Sequence, residues 1–171
     1  NYYDKALELK KSLSDEAGMA VSYNFLGDVY QEDNDFETAK NYFQQALSLN
    51  EKLHNEPRIA DSYDRLGQVC QGLGARDSAL IYFQKSIAAY ELLDDKTDLV
   101  RTILHQAAVY QKQQELEKAL SRYERALELT DHNNSAAVRA QIYDRMGDIY
   151  NNQDNLIPAY DYYQQSADLY E

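Results

Sequence analysis

The residues able to do chemistry are few and scattered. The histidines His54, His105 and His132 lack the i,i+4 spacing that sets two imidazoles on one helix face for zinc. Asp33-Asn34-Asp35 offers oxygen side chains in a row, but without the glycine and terminal glutamate of a calcium loop. There is no glycine-rich phosphate loop, no G-x-S-x-G elbow and no Cys/His nucleophile arrangement. The lone cysteine, Cys70, cannot form an internal disulfide and is expected to pack as a small hydrophobe. Carboxylates abound, yet nothing marks two of them as an acid–base pair. The reading is a protein that is not an enzyme and takes neither metal nor other cofactor.

Bulk charge narrows the partners. With 29 acidic against 17 basic residues the net charge is −12, which opposes a phosphate-tracking surface, so nucleic acid is not expected. No apolar run reaches the roughly 18 residues a membrane helix needs, so membrane insertion is not expected. No secretory signal is visible either, but that carries little weight; the compartment stays open, with the cytoplasm favoured and the periplasm the alternative for a sensor input domain. A protein or peptide partner remains.

The elements that must present such a surface repeat along the chain. Moving Ile59–Asp98 back by 40 residues lays Leu66-Gly67 on Leu26-Gly27, Ala79 on Ala39 and Phe83 on Phe43. Moving it forward by 80 meets Tyr143, Met146-Gly147, Ala159 and Tyr163. A constant period without insertions means one supersecondary unit stacked on copies of itself. Within a copy, Ala60, Tyr63, Leu66, Gly67 and Cys70 follow helical spacing, as do Phe36, Ala39, Phe43, Ala46 and Leu53. Polar or glycine-bearing turns separate them: Asp33-Asn34-Asp35, Gly72-Leu73-Gly74, Gln113-Gln114 and Asp154-Asn155. Each copy is therefore a helix pair, A then B, and the fold class is an all-α superhelix (solenoid) of antiparallel pairs.

Local signals set the expected boundaries. Helix A1 is expected over about Met19–Gln31 and B1 from Phe36, with Asp35 as N-cap. Pro57 is placed between B1 and A2. The next B helix should span about Asp77–Leu93, B3 should end near Leu129, and B4 should run from about Leu156 to the end, with Pro158 tolerated in its first turn. Gly27, Gly67 and Gly147 recur at one slot, which implies close backbone approach of helix A to helix B. Thirteen of the 16 tyrosines fall at positions 23/63/143, 30/110/150, 2/42/82/162 and 3/123/163 and are read as packing residues. Repeat 3 departs most, with Gln106, Ala107 and Arg122 where its sisters carry Leu or Met, Gly, and Tyr.

The quoted residues carry a resemblance. Tyr23, Leu26, Gly27, Tyr30, Ala39 and Phe43, and their counterparts in repeats 2 and 4, resemble the aromatic–Leu-Gly–Tyr–Ala–Phe pattern of the tetratricopeptide repeat. Tyr replaces the usual Trp, and the repeat is the long, 40-residue form. The whole chain is covered: 1–18 as the second helix of a truncated repeat, then repeats 19–58, 59–98, 99–138 and 139–171 in a single solenoid. Such repeats look like those of scaffolds and sensor-kinase input domains.

The resemblance implies a function without catalysis: a protein–protein interaction scaffold holding a peptide or partner helix in a concave groove lined by the A helices. The groove residues would be Asn24 and Asp28 in A1, and Asp64, Arg65 and Gln68 in A2. Arg101, His105 and Lys112 would follow in A3, beside Leu104, then Asp144, Arg145 and Asp148 in A4. Acidic ends would flank a basic stripe in repeat 3, where Arg101 and His105 would receive a carboxylate. A plainer reading makes these residues a solvated face with inter-repeat ion pairs, such as Arg65 with Asp28. Asn24 and Asp28 stand where the carboxylate-clamp members carry Lys and Asn, so chaperone-tail binding is not implied. The alternatives are a regulatory or sensory input domain of a larger signalling protein and an end-to-end self-assembly module. For the latter, helices B0 and B4 would each expose an uncapped face, B4 through Ile157, Tyr160, Ala167 and Tyr170, giving a homo-oligomer.

Overall fold

The computed structural model describes residues 8–10, 12–130 and 135–170, and every regular element among them is helical. Eight helices follow one another: α1 (Glu16–Glu32), α2 (Phe36–Lys52), α3 (Glu56–Gly72), α4 (Arg76–Leu93), α5 (Lys96–Lys112), α6 (Leu116–Leu129), α7 (Ala136–Asn152) and α8 (Leu156–Ala167). Residues 8–10 and 12 are also helical, residues 13 and 14 form a turn and residues 16–18 already belong to α1; residues 1–7 and 11 of the expected helix B0 lie outside the described residues, as does His132. The chain divides into two compact units, Asn1–Asp95 and Lys96–Glu171. In the first, α1 packs on α2, α2 on α3 and α3 on α4; in the second, α5 packs on α6, α6 on α7 and α7 on α8.

One turn geometry sets the period. Positive φ recurs at Ser14, Asn34, His54, Gly74, Asp94, Gln114 and Asp154, all at 20-residue spacing or a multiple of it. At each helix end described in this way the chain makes a Schellman closure. After α1, Asn34 N–H donates to Gln31 O at 3.0 Å and Asp35 N–H donates to Tyr30 O at 2.8 Å. The same six-residue bond joins Asn55 to Asn50, Ala75 to Cys70, Asp95 to Tyr90, Glu115 to Tyr110 and Asn155 to Tyr150. The residue that closes one helix then caps the next: Asp35 accepts from Thr38 N–H, and Asn55 from Arg58 N–H. A tight turn that ends one helix and starts another leaves almost no loop, which fixes the 40-residue period as two nearly equal halves.

Several boundaries differ from the sequence reading. Helix α1 starts at Glu16, because Asp15 caps it by accepting from Gly18 N–H. Pro57 lies inside the first turn of α3, where a missing N–H has no helical partner to lose. Gly72 ends α3 as a helical residue, and only Gly74 takes the left-handed backbone. Helix α8 stops at Ala167 and does not continue to the end.

The recurrent glycine slot also has a different cause from the one expected. A Cβ on Gly27 would lie 2.4 Å from the Phe43 ring, on Gly67 2.5 Å from Phe83, and on Gly147 2.7 Å from Tyr163. What comes close is an aromatic ring of helix B, seated on the bare Cα, and no backbone approaches that closely. The slot therefore couples two signature positions, glycine and aromatic, into one contact. Gly72 repeats the device between repeats, under the ring of Phe36.

Leu26, Phe43, Leu66, Phe83 and Ile87 are buried in the first unit and Ile103, Ile142 and Met146 in the second, each at most 1 % exposed. Tyrosines stack in both units: Tyr30 on Tyr42 at 5.5 Å and Tyr63 on Tyr82 at 6.3 Å in the first, Tyr150 on Tyr162 at 5.6 Å in the second. Tyr90, which falls outside the four periodic tyrosine positions, is nevertheless in the core. Gln106 occupies the Leu/Met slot of repeat 3 fully buried, with its Oε1 lacking a hydrogen-bond partner.

Candidate partner-binding surface

In the first unit, α1 and α3 present a run of polar side chains bound to one another. Arg65 on α3 pairs with Asp28 on α1 and, one turn back on its own helix, with Asp61 at 2.7 Å. Its guanidinium also lies 5.6 Å from the centre of the Phe43 ring, so an apolar floor supports the charge. Beside it, Gln31 of α1 donates to Gln68 of α3 at 3.5 Å, and Gln68 donates to Asp64 at 2.9 Å. Two polar links therefore run from one repeat to the next. Asn24 sits in the same helix α1, buried, with its Oδ1 lacking a partner.

Electrostatics at this ladder are finely opposed. Burial pushes the Asp28 carboxyl above its ordinary range, against the pull of Arg65, and the neighbouring Asp61 pushes the same way as burial. For Arg65 burial works against the charge, but Asp61 and Asp28 together outweigh it and hold the guanidinium more firmly protonated. The ladder presents charges and hydrogen-bonding groups along α1 and α3.

In the second unit the expected residues fall on α5 and α7. Arg101 is exposed and pairs with Asp98 at 2.6 Å within its own helix. His105 and Leu104 are half-buried, and Lys112 is exposed at the last turn of α5. On α7, Asp144 is half-buried and Arg145 exposed, while Asp148 accepts from Tyr163 O–H at 2.9 Å. The structure thus joins Asp28 with Arg65 and Asp64 with Gln68, and ties Arg101 and Asp148 to residues outside the expected set. Asp61 and Gln31 were missed. Asp61 could have been found from its i,i+4 spacing to Arg65; Gln31 needed the tertiary contact.

Arg139 was missed as well. It stands where the other repeats have Met19, Ile59 and Leu99, yet is only 6 % exposed. Its Nη1 donates to Leu127 O at 3.0 Å and to Thr130 Oγ1 at 3.0 Å, and its Nη2 to Tyr143 O–H at 3.1 Å. A buried cation here caps the end of α6, through the Leu127 carbonyl and the Thr130 hydroxyl. Among the described residues no group of three or more His, Cys, Asp or Glu side chains could hold a metal ion. No described helix is long and apolar enough to cross a membrane.

The fold and this surface define a class, the helical repeat proteins that present side chains from stacked helix pairs. The family model of the tetratricopeptide repeat matches residues 1–52, 19–92 and 98–171. The chain belongs to the tetratricopeptide repeat family, and with it to the protein-interaction scaffolds. No curated protein sequence matches it significantly. Solved structures do. BtubC (BKLC) from P. vanneervenii shares 17 % identity at a TM-score of 0.86, over 98 % of this chain and 70 % of that one. Aspartyl phosphate phosphatase F from Bacillus subtilis shares 16 % at a TM-score of 0.91, over 98 % of this chain and 44 % of the other. MamA shares 18 % at a TM-score of 0.71, over 98 % and 88 % respectively. At such identities the likeness is one of fold.

Proposed function

We propose that this chain is a non-catalytic scaffold that holds a peptide or partner helix against side chains of its A helices. The observation that carries the reading is the ladder of α1 and α3. Its charges are satisfied by one another yet remain partly exposed, with 27 % of the Arg65 and 39 % of the Asp28 side chain open to solvent. A partner can exchange those pairings for its own at small cost, because exposed ion pairs contribute little to stability.

In the same reading the two compact units continue one solenoid, supported by the 40-residue period that runs unbroken through both. Arg101 and His105 receive a partner carboxylate, while Asp28, Asp64, Asp144 and Asp148 favour basic partner residues. The test is capture of a defined partner by the intact chain and by an Arg101→Glu/His105→Glu variant of equal melting temperature. Loss of capture in the variant is expected. Equal capture would sink the assignment of α5.

A second reading has one observation behind it: 98 % of this chain is matched by 44 % of aspartyl phosphate phosphatase F. It makes the chain a regulatory segment whose helix packing controls further domains. Arg65→Glu, which breaks the link between α1 and α3, would then change the output of the longer protein without changing partner affinity.

A further inference from the structure

We propose that a cavity in the first unit binds a small 2-hydroxy acid, a carboxylate with a neutral hydroxyl donor beside it. The cavity, of about 220 Å³, lies where the helical residues ahead of α1 meet α1, the end of α2 and the start of α3. Lys10, Asn50 and Arg58 bring its polar groups, and Ala17, Val21 and Leu53 its apolar wall. None of the described residues lining it is acidic, in a chain of net charge −12.

The repeat period explains why the space exists here. Positions 10, 50 and 90 are one slot, held by Lys, Asn and Tyr. Lys10 Nζ donates to Ser22 Oγ at 3.1 Å, and Asn50 Nδ2 donates to the equivalent Ser62 Oγ at 3.3 Å. In the next copy Tyr90, 1 % exposed, fills the slot with a buried ring. Asn50 is shorter by that ring, and the room it leaves is the cavity.

Asn50 also carries an unspent acceptor. Ser62 gives its O–H to Arg58 O at 2.7 Å, so toward Asn50 it can only accept. That fixes the amide with Nδ2 on Ser62, and leaves Oδ1 buried without a hydrogen-bond partner on a residue 1 % exposed. Ser62 lies outside the lining, so Oδ1 is the edge turned to the cavity. An unpaired buried acceptor is costly, and a ligand that brings a donor removes the cost.

The cations and the apolar wall set the rest of the ligand. Lys10 Nζ spends its bonds on neutral oxygens, Ser22 Oγ and Gly18 O, the latter at 3.0 Å. Arg58 stands in the first turn of α3 and Ala17 in that of α1, so two helix starts add positive potential. The carboxylate of Asp15 is close by, but it accepts from Gly18 N–H at 2.9 Å and does not line the cavity. The ligand is thus an anion with a donor and a small apolar body. An α-amino acid would bring its donor as an ammonium, against Lys10 and Arg58; the hydroxyl of a 2-hydroxy acid is neutral.

Amide-resolved NMR titration of the intact chain with 2-hydroxy-3-methylbutyrate tests the proposal. The comparison probes are 3-methylbutyrate, which lacks only the hydroxyl, and inorganic phosphate. Saturable shifts are expected at Gly18, Leu53, Asn55 and Arg58. The acid without the hydroxyl should bind about tenfold more weakly, because it leaves Oδ1 unpaired. Asn50→Tyr, which copies the next repeat, should abolish binding. Arg58→Gln, at an exposed residue, should weaken it by about tenfold with the melting temperature kept, and decides the matter if Asn50→Tyr fails to fold. A titration without saturable shifts would overturn the proposal. So would equal binding of the two acids, tighter binding of phosphate, or undiminished binding by either folded variant.

Discussion

At the scale of the residue, the core is decided by how polar atoms are satisfied. Gln106 stands in the slot filled by Leu26, Leu66 and Met146, with Oε1 buried and unpartnered. Gln106→Leu should therefore raise stability, by about 1–3 kcal/mol in chemical denaturation, since it removes an unsatisfied buried acceptor. Tyr123 gives a pH test. Burial pushes its phenol up to about 12, while in the unfolded chain it ionises at about 10. Between those values the folded state binds more protons, so stability falls as pH rises through the window. Tyr123→Phe should flatten that alkaline decline. At neutral pH the variant should be weaker by about 0.5–1.5 kcal/mol, because Tyr123 O–H donates to Gln111 at 3.0 Å. Burial likewise pushes the Cys70 thiol up, so it should react with thiol reagents only as fast as the fold opens.

At the scale of the element, each turn fixes two helices at once. Only Gly74 meets the left-handed position without a Cβ; His54 and Gln114 hold it with φ of 52° and 61°. The left-handed backbone costs a side chain about 1–2 kcal/mol, and glycine's extra freedom when unfolded offsets about 0.5–1 of that. Gln114→Gly should thus stabilise the chain by roughly half to one kcal/mol, read as a shift of the denaturation midpoint. The end of α6 depends on Arg139. Arg139→Leu restores the residue type of the sister repeats but leaves Leu127 O and Thr130 Oγ1 without their donor. A loss of about 1.5–3 kcal/mol is expected, because the donor is charged, and amide exchange at the end of α6 should quicken with it.

At the scale of the whole molecule, stability is a sum over repeats and their nearest neighbours, and function lies in the surfaces left over. Gly67→Leu tests that sum. The added side chain must displace Phe83 from the Gly67 Cα, so α3 and α4 should separate and the melting transition broaden. A sharp, unshifted transition would show that the ring has room to move.

The period was legible in the chain because each repeat must bury the same faces, so Leu26, Leu66 and Met146 or Phe43, Phe83 and Tyr163 recur where the geometry recurs. Helix type and turn positions followed from spacing alone. The cause of the Gly27, Gly67 and Gly147 slot did not, since a periodic glycine is compatible with a nearby backbone or a nearby ring, and only packing distinguishes them. The burial of Tyr90 and Arg139 and the link from Gln31 to Gln68 were equally hidden. Each depends on what a neighbouring helix brings within reach, more than thirty positions away for the glutamines. Sequence determined the unit and its repetition, because those are set by local periodicity; tertiary structure decided which polar side chains hold repeats together, because that depends on what the neighbouring helix brings within reach.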